Sequence, residues 1–236
     1  MIKAILFDLD NTLIDFLRFK KNSCNAAIDA MIKAGLKIEK SKAIKILFEL
    51  YGKHGIEDPK IFQKFLRKVN GTVNYKFLAH GILAYRKMKE NYMYPYLGTV
   101  ETLKKLKKKH KLAIISDASG INAWLRLIPM GIEDFFDVVI TKSDVKKQKK
   151  YSNPFNSALN KLGIKPGEAL MVGDKRDRDI KTAKSIGIKT CYARYGDKNV
   201  KYARYGEISN KNKKKGQKIA DFVIDDIKEL LKLKLN

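Results

Sequence analysis

The chain has 236 residues, 44% of them hydrophobic and 10% aromatic, which suits one large domain or one domain carrying an insert and excludes a disordered tail. Lys and Arg number 50 against 25 Asp and Glu, a net charge of +25 that bears on solubility and encounter rather than on fold. The two cysteines, Cys24 and Cys191, and the scattered His54, His80 and His110 exclude a disulfide scaffold and a Cys- or His-based metal site.

Residues 2–7 read as a buried strand, cut off by Asp8 and Asp10 before it could serve as a signal peptide. No apolar run approaches the roughly 18 residues of a membrane span. The expectation is therefore a soluble, cytoplasmic protein with no membrane partner. From about residue 15 to residue 91 no good strand appears. Helical periodicity runs instead over residues 23–34, 42–51, 59–69 and 75–90, with Asp58 and Pro59 as a helix start. Phe16, Phe19, Phe48, Tyr51, Phe62 and Phe65 fall at helical spacing and are expected to form the core of this segment.

Beyond the insert, strands are expected over residues 112–115, 138–140, 169–172, 190–193 and 222–224. Between them lie helices over residues 99–109, 156–162 and 179–186. Asn153 and Pro154 suit the start of the second, and Gly187 suits the end of the third. Alternating strands and helices imply a mostly parallel sheet with helices on both faces. Tyr192-Ala193-Arg194-Tyr195-Gly196 recurs as Tyr202-Ala203-Arg204-Tyr205-Gly206, two copies being too few for a repeat fold. Residues 196–218 are polar and basic and are expected to form a mobile surface loop. The alternative is a nucleic-acid contact with Tyr and Arg available for stacking.

The chemistry gathers at strand ends. The first strand runs into Asp8-Leu9-Asp10-Asn11-Thr12. In an extended chain residues two apart project to one side, so Asp8 and Asp10 are expected to face one crevice. Two such carboxylates persist only if a proton or a cation compensates them, and oxygen ligands suit Mg²⁺. A helix cap or turn explains the pair equally well. Gly173 and Asp174, followed by Asp177 and Asp179, lie past the strand at 169–172. Ser116-Asp117-Ala118-Ser119-Gly120 lies past the strand at 112–115, where a hydroxyl and backbone N–H groups before a helix form a phosphate cradle. In open parallel sheets ligands bind outside these carboxyl ends.

With these motifs the chain resembles the haloacid dehalogenase superfamily over nearly its whole length, with a helical cap inserted after the first strand. The resemblance implies an α/β fold: a Rossmann-like three-layer sandwich with a parallel sheet of order 5-4-1-2-3 plus the cap. Residues 1–14 and 92–236 would form the core domain, and residues 15–91 the cap. It further implies a Mg²⁺-dependent phosphatase working through an aspartyl-phosphate. Asp8 would be the nucleophile and Asp10 the general acid and base. Asp8, the backbone carbonyl of Asp10, and Asp174 would hold the metal. Ser116 and the backbone N–H of Asp117 would bind the phosphoryl oxygens. The family's lysine usually sits in a Lys-Pro-x-Pro context, and both prolines are missing here. Counting back from Phe155 selects Lys149, with Lys150 as runner-up. Thr12 and Asp179 would support the site, Asp177 would be solvent-exposed, and Arg18 or Lys20 would be candidate substrate contacts.

Within the resemblance the sharpest alternative is 2-haloacid dehalogenation, which needs no Mg²⁺ and in which the second aspartate is replaced. The presence of Asp10 therefore favours a phosphatase acting on a small phosphorylated metabolite. The basic runs at 104–111, 146–150 and 211–218 leave open a polynucleotide-end phosphatase or a nucleic-acid-binding protein. A lysine-rich solvated surface is the preferred explanation, because Lys outweighs Arg and no aromatic-basic module accompanies it. A monomer and a homodimer are both compatible with the sequence.

Overall fold

Short runs of Ile, Leu, Val and Ala bounded by polar strand ends build the centre of the molecule. In the computed structural model, which describes residues 1–91, 93–145, 148–149, 151–200 and 220–235, they form six strands. These are β1 (Ala4–Phe7), β2 (Lys111–Ile115), β3 (Val138–Ile140), β4 (Ala169–Gly173), β5 (Lys189–Ala193) and β6 (Phe222–Ile224). The sheet order is β3-β2-β1-β4-β5-β6, and every pairing is parallel. The expected order 5-4-1-2-3 is present, with β6 added at the edge beside β5.

All four residues of β1 are buried, as parallel strands covered on both faces require. Ala4 and Leu6 pack with Ala113, Ile115, Met171 and Phe155 on one face. Phe155 comes from α8 (Asn153–Leu162), where Asn153 is already helical rather than the cap. The other helices of this unit are α5 (Thr99–Lys107), α6 (Gly120–Leu127), α7 (Lys142–Val145), α9 (Lys181–Ser185) and α10 (Arg194–Val200). Two of them revise expectations. A π-turn, Arg176–Ile180, precedes α9 where one regular helix was expected. Residues 194–200 are helical, so the expected surface loop does not begin at Gly196; its remainder, residues 201–218, lies outside the described residues.

The chain separates into two compact units. One contains the described residues of 1–16, 93–199 and 220–235, and the other contains residues 17–91 and 200. The second is helical: α1 (Phe16–Lys33), α2 (Lys40–His54), α3 (Ile61–Asn70) and α4 (Tyr75–Asn91) supply it. Its core gathers Ile28, Met31, Leu47, Tyr51, Phe62 and Phe65, with Phe48 packed against them. The expected α3 start shifts by two residues, because Asp58 Oδ1 accepts the Lys60 N–H in a turn ahead of the helix. Phe16 departs from the expected aromatic core: it belongs to the first unit and lies under Arg126, whose guanidinium carbon is 4.5 Å from the ring centroid. Among the described residues no helix is long and apolar enough to cross a membrane.

Candidate active site

Parallel register brings three polar strand ends level. Phe7 pairs with Ile114 of β2 and with Val172 of β4. The next residue, Asp8, continues the ladder by donating its N–H to the Val172 carbonyl at 2.9 Å. Asp8 is thus fixed beside the chain that carries Gly173 and Asp174. Ser116 is fixed in the same way, its N–H reaching the Ile140 carbonyl of β3 at 2.9 Å.

Asp8 is buried and engaged through both oxygens. Thr12 Oγ1 donates to Oδ2 at 3.1 Å, and the Lys149 ammonium pairs with Oδ1. Lys149 is 1% exposed, and its ammonium also lies 2.6 Å from Asp179 Oδ1. Burial opposes a charge on Lys149, but Asp179 and Asp8 outweigh it and raise its pKa above the ordinary lysine range. The ammonium therefore stays protonated at any working pH. Asp179 is fully buried, and burial raises its carboxyl against the opposing pull of Lys149.

Asp179 reaches this position through the π-turn. Its N–H donates to the Lys175 carbonyl at 2.8 Å, while its Oδ2 accepts the Lys175 N–H at 2.9 Å. A Cβ at position 173 would lie 2.4 Å from Asp179 Oδ2, so Gly173 is what lets this carboxylate close against the strand end. Burial, then the charge of Asp8, pushes Asp174 up to about 7. Lys175 Nζ lies 2.8 Å from its Oδ2. Its Oδ1 is buried with no hydrogen-bond partner among the described residues.

Asp8, Asp174 and Asp179 each offer a carboxylate oxygen within 4.8 Å of the others. Three buried carboxylates, one with an orphaned oxygen, form an oxygen-only set that could hold a divalent cation. The fit rests on that orphaned atom and on the donor chemistry.

The Asp10 carboxylate is not among the three that lie within 4.8 Å of one another. The strand ends at Phe7 and the chain turns: Asp10 bridges to Ile14, and Asn11 takes a left-handed φ of 64°. Strand alternation therefore does not govern where Asp10 points, and its Oδ1 lies 3.0 Å from Arg126 Nε. Arg126 is itself buried, and sequence reasoning missed it. Ser116 is buried, with its Oγ accepting the Ala118 N–H at 3.1 Å. The Asp117 carboxylate accepts the Lys149 N–H at 2.8 Å and an Arg178 N–H at 2.6 Å. Asp177 is exposed, as is Arg18. Lys20 is buried inside the helical unit, donating to Tyr85 Oη at 3.0 Å and sitting 4.4 Å from the Tyr51 ring centroid. Lys150 lies outside the described residues.

Tyr195 and Gly196 are further residues that the sequence did not reveal. Tyr195 Oη donates to the Thr12 carbonyl at 2.6 Å, and its ring meets Tyr96 edge to face at 5.1 Å. A Cβ at position 196 would fall 2.0 Å from the Asn11 carbonyl oxygen and 2.7 Å from Asp174 Cβ. This glycine serves close packing against the Asp8 loop, not loop flexibility. Its visible signals were its place just past a strand end and its recurrence as Gly206 in the repeated pentapeptide. Gly196→Ala is expected to cost about 1–3 kcal/mol, the usual range for overpacking, and to lower kcat at least tenfold. Thermal melts and steady-state kinetics read the two effects separately.

The parallel sheet thus presents buried carboxylates just past its interior strand ends, with a buried lysine ammonium between two of them. The model of the haloacid dehalogenase-like hydrolase family matches residues 5–193. A glyceraldehyde 3-phosphate phosphatase of Pyrococcus furiosus is 33% identical over 98% of this chain and 92% of its own length. One of Methanocaldococcus jannaschii is 33% identical over 100% and 98%. The crystal structure of a phosphatase of the same family from Thermococcus onnurineus superposes with a TM-score of 0.65 at 28% identity, covering 98% of this chain and 97% of that one. The chain belongs to the haloacid dehalogenase-like hydrolase family, on its phosphatase branch.

Proposed function

We propose that the protein is a Mg²⁺-dependent phosphatase that hydrolyses a small phosphate monoester through an aspartyl-phosphate at Asp8. The observation that carries this reading is the buried set of Asp8, Asp174 and Asp179 beside the Lys149 ammonium. An Asp8 oxygen attacks phosphorus, the bond to the leaving oxygen breaks, and Asp10 supplies its proton. Water then attacks the phosphoryl group, Asp10 takes the proton, and the bond to Asp8 breaks to release inorganic phosphate. Ser116 and the Asp117 N–H hold the phosphoryl oxygens, while Lys149 keeps the nucleophile and the phosphate together. Asp8, Asp174 and the Asp10 carbonyl would hold Mg²⁺, with Asp179 alongside; the ion offsets repulsion between carboxylate and phosphate dianion.

Glyceraldehyde 3-phosphate is the first substrate to test, because the two relatives above carry that name. Residues 15–91 act as a cap domain that chooses the substrate and excludes water, and the enzyme works in the cytoplasm. A panel of phosphorylated metabolites assayed with Mg²⁺ tests the substrate. EDTA is expected to abolish phosphate release, and added Mg²⁺ to restore it and to raise the melting temperature. Phosphate release that survives EDTA would overturn the Mg²⁺ dependence, whereas halide release from a 2-haloacid in the presence of EDTA would fit metal-free dehalogenation. Asp174→Asn is expected to remove both the Mg²⁺ requirement's benefit to stability and the activity.

A further inference from the structure

Lys149 must place one ammonium between two buried carboxylates at the end of a flexible four-carbon side chain, so its backbone has to be held. The segment before α8 contains no proline from residue 142 to residue 153 to hold it. A side chain does so instead: Asp117 Oδ1 accepts the Lys149 N–H at 2.8 Å. The second oxygen of the same carboxylate is occupied by Arg178, whose Nη1 lies 2.6 Å away. Arg178 sits in the π-turn between Asp174 and Asp179. The carboxylates of Asp117, Asp179, Asp8 and Asp174 all favour its charge against the cost of burial.

We propose that Asp117 and Arg178 form a clamp that positions Lys149. The carboxylate bridges the lysine's backbone to a guanidinium carried on the segment that also supplies Asp174 and Asp179. The loop after β2, the lysine segment and the turn after β4 are thereby tied at one point, and the distance from Lys149 to Asp8 is set by the tie. A charge-assisted hydrogen bond with both oxygens in use is directional as well as strong, which is what a positioning contact needs. Arg178 acts through Asp117 and Lys149, without touching the substrate.

The inference rests on the phosphatase reading, and its test is separable from that reading. Wild-type protein that releases no phosphate from any monoester would end the reading itself; the clamp is judged only among variants of an active enzyme. Arg178→Met and Asp117→Asn are each expected to lower kcat about 10- to 100-fold, with KM within about twofold of wild type. The double variant should be no slower than the slower single variant, because both remove the same tie. Arg178→Lys should recover much of the loss, since an ammonium can still donate to the carboxylate. The Arg178 side chain is 40% exposed, so its truncation should leave the thermal melt within a few degrees of wild type. A raised KM with kcat retained would make Arg178 a substrate ligand and overturn the proposal. So would losses that multiply in the double variant, or wild-type kcat in both singles.

Discussion

Asp8→Asn is expected to reduce phosphate release from para-nitrophenyl phosphate by about 10⁴-fold or more, the scale on which losing a covalent nucleophile is felt. The amide keeps the shape of the side chain and can still accept from Thr12 Oγ1, which lies 3.1 Å from the present carboxylate. It cannot form the acyl phosphate. The fold should survive, since the Asp8 backbone stays in the β4 ladder through its N–H. Losing the Asp8 charge removes its repulsion with Asp174 and Asp179, and Lys149 is not stranded, because its ammonium keeps Asp179 at 2.6 Å. A near-native melt together with lost turnover and no covalently bound phosphate after quenching is the expected pattern. Turnover close to wild type would place the nucleophile elsewhere.

Lys149→Met is expected to damage stability and activity together, unlike Asp8→Asn. The ammonium is fully buried between Asp8 and Asp179. Methionine fills much of the volume but leaves both carboxylates without their cation. Removing one partner of a buried ion pair costs about 3–5 kcal/mol, because the remaining charge is stranded. If Lys149 holds the phosphoryl group as proposed, losing this preorganised cation should lower kcat about 100-fold or more. Lys149→Arg should not rescue it, since a planar guanidinium does not fit a site built around a compact ammonium. Urea unfolding and steady-state kinetics measure the two losses. A variant as stable as wild type would show that the lysine is not the counter-charge of the cluster.

Which of these features the sequence displays follows from distance along the chain. Strands β1, β2 and β4 are legible because four or more consecutive apolar residues, buried on both faces, leave a local pattern. The helices of residues 17–91 are legible because their buried positions recur at helical spacing. Asp8, Ser116 and Asp174 stand just past strand ends, so topology alone draws attention to them. Asp10 shows the limit of this reasoning. The strand stops at Phe7 and a left-handed Asn11 follows Asp10, so strand alternation alone does not fix the direction of its side chain. Arg126, which pairs with Asp10, lies on another element and carries no local mark.

The amino-acid sequence by itself determined the alternating α/β architecture, the helical insert and the acidic residues past the strand ends, because each is written in neighbouring residues. Only the tertiary structure decided the contacts that fix those residues. Lys149 meets Asp8 across 141 positions, Asp117 meets Arg178 across 61, and Tyr195 meets Thr12 across 183. The physical reason is that a hydrogen bond or ion pair depends on a few ångströms in space. That spacing is set by the parallel register of β1, β2, β4 and β5, not by local propensity.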